Sequence, residues 1–270
     1  DATDDTREMP AVDLVIDSFR LGDMALGEVR VKAENREGAW QAKLDVKNDA
    51  AKLAGEGRWR PGRNAPETAL AFKLDIDNAE KLLDRLGLPD AVRRGAGEIE
   101  GEVSWAGNPF AFDLPSLSGR LKADIGKGQF KKLEPGVGRL LGVLSLQSLP
   151  RRITLDFRDI FSEGFAFDSI AGAARISKGV MTTDELRIRG PAAKVLLSGQ
   201  VDLAAETQNL TVRVHPSLGE TLAVGAMIAN PAAGAVAWAA QKILNDPLDQ
   251  IFAYEYAVTG GWNDPKVDKV

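Results

Sequence analysis

The chain has 270 residues, 44% hydrophobic and 27% charged, with a net charge of −5. That length holds one large β domain or two smaller ones around a sizeable core, and the balance excludes a disordered chain and an ordinary membrane protein. Both signs of charge are interspersed, which excludes nucleic acid as a partner, because a phosphate-tracking surface concentrates positive charge on one face. Arg58, Arg60 and Arg63, and the pairs Arg93–Arg94 and Arg151–Arg152, are too dispersed to make such a face. Cysteine is absent, which removes disulfides, thiolate metal sites and cysteine nucleophiles but leaves the compartment open. The sequence opens at Asp1 with no initiator Met, basic n-region or apolar h-region. We therefore expect a piece of a longer protein whose targeting signal lies outside it.

Residues 1–9 are acidic and polar and are expected to be a mobile lead-in. From Val12 a period of two sets in, with Val12, Leu14 and Ile16 alternating with Asp13 and Asp17. Val29, Val31 and Ala33 then oppose Arg30 and Lys32, and Trp40, Ala42, Leu44 and Val46 oppose Gln41, Lys43, Asp45 and Lys47. Leu53, Gly55, Gly57 and Trp59 follow after Asn48–Asp49, and Leu70, Phe72, Leu74 and Ile76 after Pro61–Gly62. Five one-sided strands joined by short turns predict an antiparallel meander. A helix over about 78–86 interrupts it, with Asp77 as N-cap, Glu80 completing a capping box, and Gly87 and Pro89 as the stop. The rhythm resumes with Ile99–Trp105 and Leu117–Ile125, and later with Ile176, Leu186–Ile188, Val195–Leu203, Leu210–Val214 and Phe252–Val258.

The stretch from Gly136 to Phe167 is different. It predicts a short helix (about 136–146) carrying Val137, Leu140, Leu141 and Leu144, a break at Pro150, a strand with Ile153, Leu155 and Phe157 on one face, and a second strand with Phe165 and Phe167. This is where a long sheet would receive a plug or cap. Between Thr221 and Gln241 no residue is charged, and Asn230–Pro231 favours two short helices within about 221–245 over one spanning helix. The organisation expected is a lead-in at 1–9, a strand-repeat segment at 10–130, and a segment at 131–270 continuous with the same sheet.

About a dozen strands each present one apolar and one charged face, with few helices to cover them. Monomers seldom expose apolar patches beyond a few hundred Å², so something must cover the remainder. The sheet can close on itself as a sandwich or barrel, or it can stay open as a curved trough filled by ligand chains. A dozen strands at about 4.8 Å spacing stack to roughly 55–60 Å, long enough for an elongated trough. Periodicity does not separate the two.

The stretch GRLLGVLSLQSLPRRITLDFRDIFSEGFAFDSIAG resembles the C-terminal region of the YhdP-type members of the AsmA-like family of Gram-negative bacteria, and the resemblance continues through LRIRGPAAKVLLSGQVDLAAETQNLTVRVHPSLG and QKILNDPLDQIFAYEYAVTGGWNDP. It covers about residues 130–265, whereas residues 10–125 match only in the style of their strand repeats. The resemblance implies a mainly β fold: a long, curved antiparallel meander forming an open groove, with a few short helices capping it near the C-terminus. It implies a periplasmic segment of an inner-membrane-anchored protein that bridges towards the outer membrane and shields phospholipid acyl chains. The alternative function is a non-transporting scaffold module for outer-membrane assembly and barrier integrity.

Within a groove, the inward set is expected to include Phe72, Leu74, Ile76, Val103, Trp105, Leu121, Ile153, Leu155, Phe157, Phe165 and Phe167. Leu222, Val224, Met227, Ile228 and Trp238 are candidates for a packed cap or for shallow contact with the outer-membrane surface, with Trp238 as the interfacial anchor. The expected partners are phospholipid acyl chains and the remainder of the same longer chain. No catalytic residue, cofactor or metal is expected. His215 is the single histidine and no Gly-x-Ser-x-Gly elbow accompanies it, so it reads as a solvent-side or locally bonded residue. Gly136-Val-Gly-Arg-Leu-Leu-Gly142 misses the dinucleotide fingerprint in both spacing and context. Asn209-Leu-Thr reads as an accidental sequon, and the row Glu98, Glu100 and Glu102 as a solvated strand face.

Overall fold

A computed structural model describes residues 11–22, 24–61, 66–131, 164–216, 254–262 and 264–270. The alternating segments are strands throughout: β1 (Val12–Leu21), β2 (Met24–Arg36), β3 (Ala39–Lys47), β4 (Ala51–Arg60) and β5 (Glu67–Ile76) come first. After a helix, α1 (Ala79–Arg85), come β6 (Val92–Arg94), β7 (Gly97–Ala106), β8 (Ser118–Ile125) and β9 (Gly128–Phe130). The remainder are β10 (Ala166–Phe167), β11 (Ser169–Ser177), β12 (Val180–Arg189), β13 (Ala193–Asp202), β14 (Thr207–Pro216), β15 (Tyr254–Gly261) and β16 (Asp264–Lys269). Thirteen of them form one antiparallel sheet in chain order, β1-β2-β3-β4-β5-β7-β8-β11-β12-β13-β14-β15-β16, which does not close into a barrel. The short strands β10, β9 and β6 form a second sheet in that order.

Because neighbours in the sheet follow one another in sequence, the connections alternate between its two ends. One end carries only short links and the 107–117 loop. At the other, the chain makes its excursions: α1 and β6 between β5 and β7, and β9 and β10 between β8 and β11. These excursions supply the cover. Val92, Phe130, Phe165 and Phe167 from the small sheet pack with Ile188, Val195, Leu197, Leu210, Val212, Val214, Tyr256 and Val258 in the largest core cluster. A smaller cluster at the opposite end joins Trp105, Leu117 and Ile176.

Several expectations change. The helix starts one residue later than the Asp77 capping box predicts: the N-cap is Asn78, whose side chain accepts from Lys81 N–H at 3.0 Å. The cause is the Ala50 carbonyl, which accepts from both Asp77 N–H (2.9 Å) and Asn78 N–H (3.0 Å) and so holds Asp77 at the end of the strand. Glu80 instead accepts from the backbone N–H of Arg94 at 3.2 Å. The stop is as expected, with Gly87 at φ 81° and Leu88 N–H donating to Leu83 at 2.9 Å. Beyond Gly260–Gly261 the charged end of the chain adds the edge strand β16, paired with β15. The expected helices at 136–146 and 221–245, and the strand through Ile153, Leu155 and Phe157, lie outside the described residues.

Candidate functional site: the apolar face of the sheet

Register turns the one-sided strands into rows of apolar side chains that cross the whole sheet. One row runs Ile16–Val29–Val46–Leu53–Leu74–Ile99–Ala123–Gly172–Leu186–Leu197–Val212–Tyr256. The next row, nearer the short-link end, runs Leu14–Val31–Leu44–Gly55–Phe72–Gly101–Leu121–Ala174. In that row bulky side chains close over the glycines beside them. A Cβ on Gly101 would meet Leu121 Cδ2 at 2.5 Å and Phe72 Cε1 at 3.1 Å. The face is therefore tiled by alternating large residues and gaps.

Burial divides this face into two halves. In β12–β15, under the small sheet, Val195, Leu197, Val212, Val214 and Val258 are all at most 2% exposed. Across β3–β8 the same face is largely half-buried, with Leu44, Leu53, Phe72, Leu74, Ile99 and Leu121 all in that state. The opposite face carries the charges. Lys73 meets Glu98 at 2.9 Å, Lys122 meets Glu100 at 3.1 Å and Arg120 meets Glu102 at 2.6 Å, so the glutamate row is a ladder of exposed ion pairs. Hydrogen bonds to Glu98 and to Glu100 push the ammonium groups of Lys73 and Lys122 above their ordinary values. Two concavities of about 1450 and 1060 Å³ lie along this part of the sheet, and Lys43, Glu56, Glu102, Arg120 and Arg175 line both of them. Charged-face side chains make up much of their walls, and Ala33, Ala42, Leu70, Val103 and Ile176 of the apolar face also border the larger one.

The expected inward residues fall into three groups. Phe72, Leu74, Ile76, Val103, Trp105 and Leu121 share the apolar face of the large sheet. Trp105 is 6% exposed, its ring tilted against Phe112 at 5.0 Å, so it is packed at the short-link end. Phe165 and Phe167 belong to the covering layer, at 2% and 3% exposed, and Phe167 packs on Phe130 at 4.9 Å. Ile153, Leu155 and Phe157, and the cap candidates Leu222, Val224, Met227, Ile228 and Trp238, lie outside the described residues.

Sequence reading missed a polar row at the short-link edge of the apolar face: Asn35–Trp40–Trp59–Thr68–Trp105. Thr68 donates to Gly107 at 2.8 Å and Trp105 Nε1 to Asn108 at 3.1 Å. Asn35 Nδ2, Trp40 Nε1 and Trp59 Nε1 are buried with no protein acceptor among the described residues. An orphaned buried donor costs about 1–3 kcal/mol, so three side by side are a departure that calls for a reason. Gln208 and the Tyr256 hydroxyl are likewise buried without partners among the described residues, and burial raises the phenol's pKa.

An open antiparallel sheet that runs in chain order, with one charged and one apolar face and, among the described residues, cover over only half of the latter, defines a repetitive β protein with a broad apolar face. The YhdP protein family model matches residues 1–267, and the chain belongs to that family. It is similar to the "Intermembrane phospholipid transporter YhdP" of Escherichia coli (strain K12), at 31% identity over 222 residues, which is 82% of this chain and 18% of that protein. The chain thus spans less than a fifth of that relative's length. No solved structure matches it. No described helix is long and apolar enough to cross a membrane.

Proposed function

We propose that this chain is a non-enzymatic, periplasmic segment of a phospholipid-transfer bridge between inner and outer membranes, and that the apolar face of β1–β8 shields acyl chains while head groups stay in solvent. The observation that carries this reading is the run of apolar rows across those strands that no described segment covers, at right angles to the strands and continuous with the covered core. Hydrating an acyl chain costs about 0.8 kcal/mol per CH₂, on the order of 12 kcal/mol for a sixteen-carbon tail. A continuous apolar strip removes most of that barrier at every step along the sheet. The charged face fits the role of a solvated outer wall, because its paired charges cannot replace hydrocarbon contact. The relative's printed name supports the cargo class, and the longer relative supports further chain on which the route would continue.

Native mass spectrometry of the purified chain, with lipid extraction, tests this. At least one phospholipid per chain is expected, falling sharply in Leu74→Asp. Lipid-free protein from repeated membrane-containing preparations would overturn it and favour the scaffold alternative.

A further inference from the structure

We propose that Asn35, Trp40 and Trp59 form a hydrogen-bonding rail for the ester-carbonyl or phosphate oxygens of a phospholipid. This rests on the apolar face being the acyl-chain surface, and it assigns the polar end of the same lipid.

Four observations converge on it. The three residues are directly opposite one another across β2, β3 and β4, so their donors line up along the direction in which the apolar rows run. At about 4.8 Å per strand they cover roughly 10 Å. Asn35 Oδ1 accepts from Gly38 N–H at 3.2 Å, which fixes the amide with Nδ2 as its remaining donor. Trp40 is 7% exposed, and all three N–H groups are shut off from bulk water with no protein acceptor among the described residues. Finally, the next row inward consists of Ala33, Ala42 and Gly57. A Cβ on Gly57 would find nothing closer than 3.8 Å, so the strip beside the indoles is shallow.

The same row shows what satisfaction looks like. Where the 107–117 loop comes over it, the carbonyls of Gly107 and Asn108 supply acceptors to Thr68 and Trp105. Over Asn35, Trp40 and Trp59 no described segment does so. The acceptor that fits is one delivered along the face by the ligand itself. Acyl chains would lie on the Leu44–Phe72 row and the Leu53–Leu74 row beyond it, the ester region over the Ala33–Ala42–Gly57 strip, and the oxygens against the indole and amide N–H groups. A pure hydrocarbon would satisfy none of them. The rail would hold lipids in one orientation, head towards the short-link end.

The test compares Trp40→Phe/Trp59→Phe, which keeps the rings and removes both N–H groups, with the unaltered chain against two probes: dioleoyl phosphatidylethanolamine and an oxygen-free pyrenyl hydrocarbon. Two lost hydrogen bonds should weaken phospholipid binding about tenfold or more and leave hydrocarbon binding unchanged. Equal phospholipid binding by both proteins would overturn the rail, as would a parallel loss for both probes, which marks ring packing. If the unaltered chain binds neither probe, the acyl-chain surface itself is refuted. A readout independent of the variant's folding is the indole ¹H–¹⁵N resonance of Trp40 and Trp59 in the unaltered chain. Phospholipid should move it downfield and the hydrocarbon should not; no movement with bound phospholipid overturns the rail.

Discussion

Strands β3 and β13 follow the same alternation, yet their apolar side chains end in different states. Leu44 and Val46 of β3 stay half-buried, while Val195 and Leu197 of β13 are 2% and 1% exposed. Nothing in the strands themselves makes that difference. It comes from the small sheet, whose Phe130, Phe165 and Phe167 lie over one half of the face and not the other. Where the described cover lies, apolar residues serve stability; where it ends, an equally apolar surface is the proposed lipid face. The contrast is the basis for the functional reading, and mutations should expose it.

The largest effect should come from the covered half. Leu197→Ala should cost about 2–5 kcal/mol, read as a lower denaturation midpoint at unchanged m-value, because a closed core cannot refill the cavity. A comparable loss from Leu74→Ala would erase the distinction. Next is Gly101→Val, whose added atoms would meet Leu121 and the Arg120 carbonyl oxygen, 2.5 and 2.9 Å from the Cβ position. Overpacking of this kind costs about 1–3 kcal/mol. It would also break the tiling of the uncovered row, so thermal stability and lipid content should fall together. Leu74→Asp should separate them: about 1 kcal/mol of stability is lost, since a half-buried position on an open face can hydrate a charge, while bound lipid largely disappears. Equal loss of folding and of lipid would mark Leu74 as ordinary core.

The smallest effect concerns pH and the junction of α1 with the sheet. Glu80 is held below the ordinary carboxylate range first by the Arg94 N–H and then by Lys131, and Asp90 is lowered by Lys131. Asp49 is lowered by hydrogen bonds from Lys81 and Arg85. Carboxyls depressed in the folded state contribute stability that is complete above their unfolded pKa and is lost as pH falls through the folded values. Protection factors of the amides around α1 should therefore fall in acid before those of β13 and β14. Lys131→Met should reproduce part of this at neutral pH. These groups are solvent-screened, so the change should be local and should leave the global midpoint nearly unmoved.

Much of the sheet was legible in sequence because a period of two with turn residues between the runs admits few alternatives. Each strand read from Val12 to Ile125 is present, and the mainly β architecture follows; that the sheet stays open is not written in the alternation and was implied only by the family resemblance. The short strands β6 and β9 were not legible: three residues carry no period, and they pair with each other, Val92 opposite Phe130, across a long stretch of chain. The helix start slipped by one residue because it is set by the carbonyl of Ala50, which is remote in sequence. Of the site, the apolar face was readable from alternation, but its division into covered and uncovered halves was not. The rail was missed although Trp40 and Trp59 both sat on the apolar face. Seeing it requires pairing β3 with β4 outward from the Asn48–Ala50 turn and then noticing that neither indole finds an acceptor among the described residues.

The most direct test of the central claim is photo-crosslinking to phospholipid from consecutive positions along one uncovered strand. A photoreactive side chain placed in turn at Phe72, Lys73, Leu74 and Asp75 samples both faces of β5 under the same conditions. The account predicts crosslinked lipid at 72 and 74 and little at 73 and 75, repeating the period of the strand. Equal yields at all four positions, or yields confined to 73 and 75 beside the charged concavities, would contradict it.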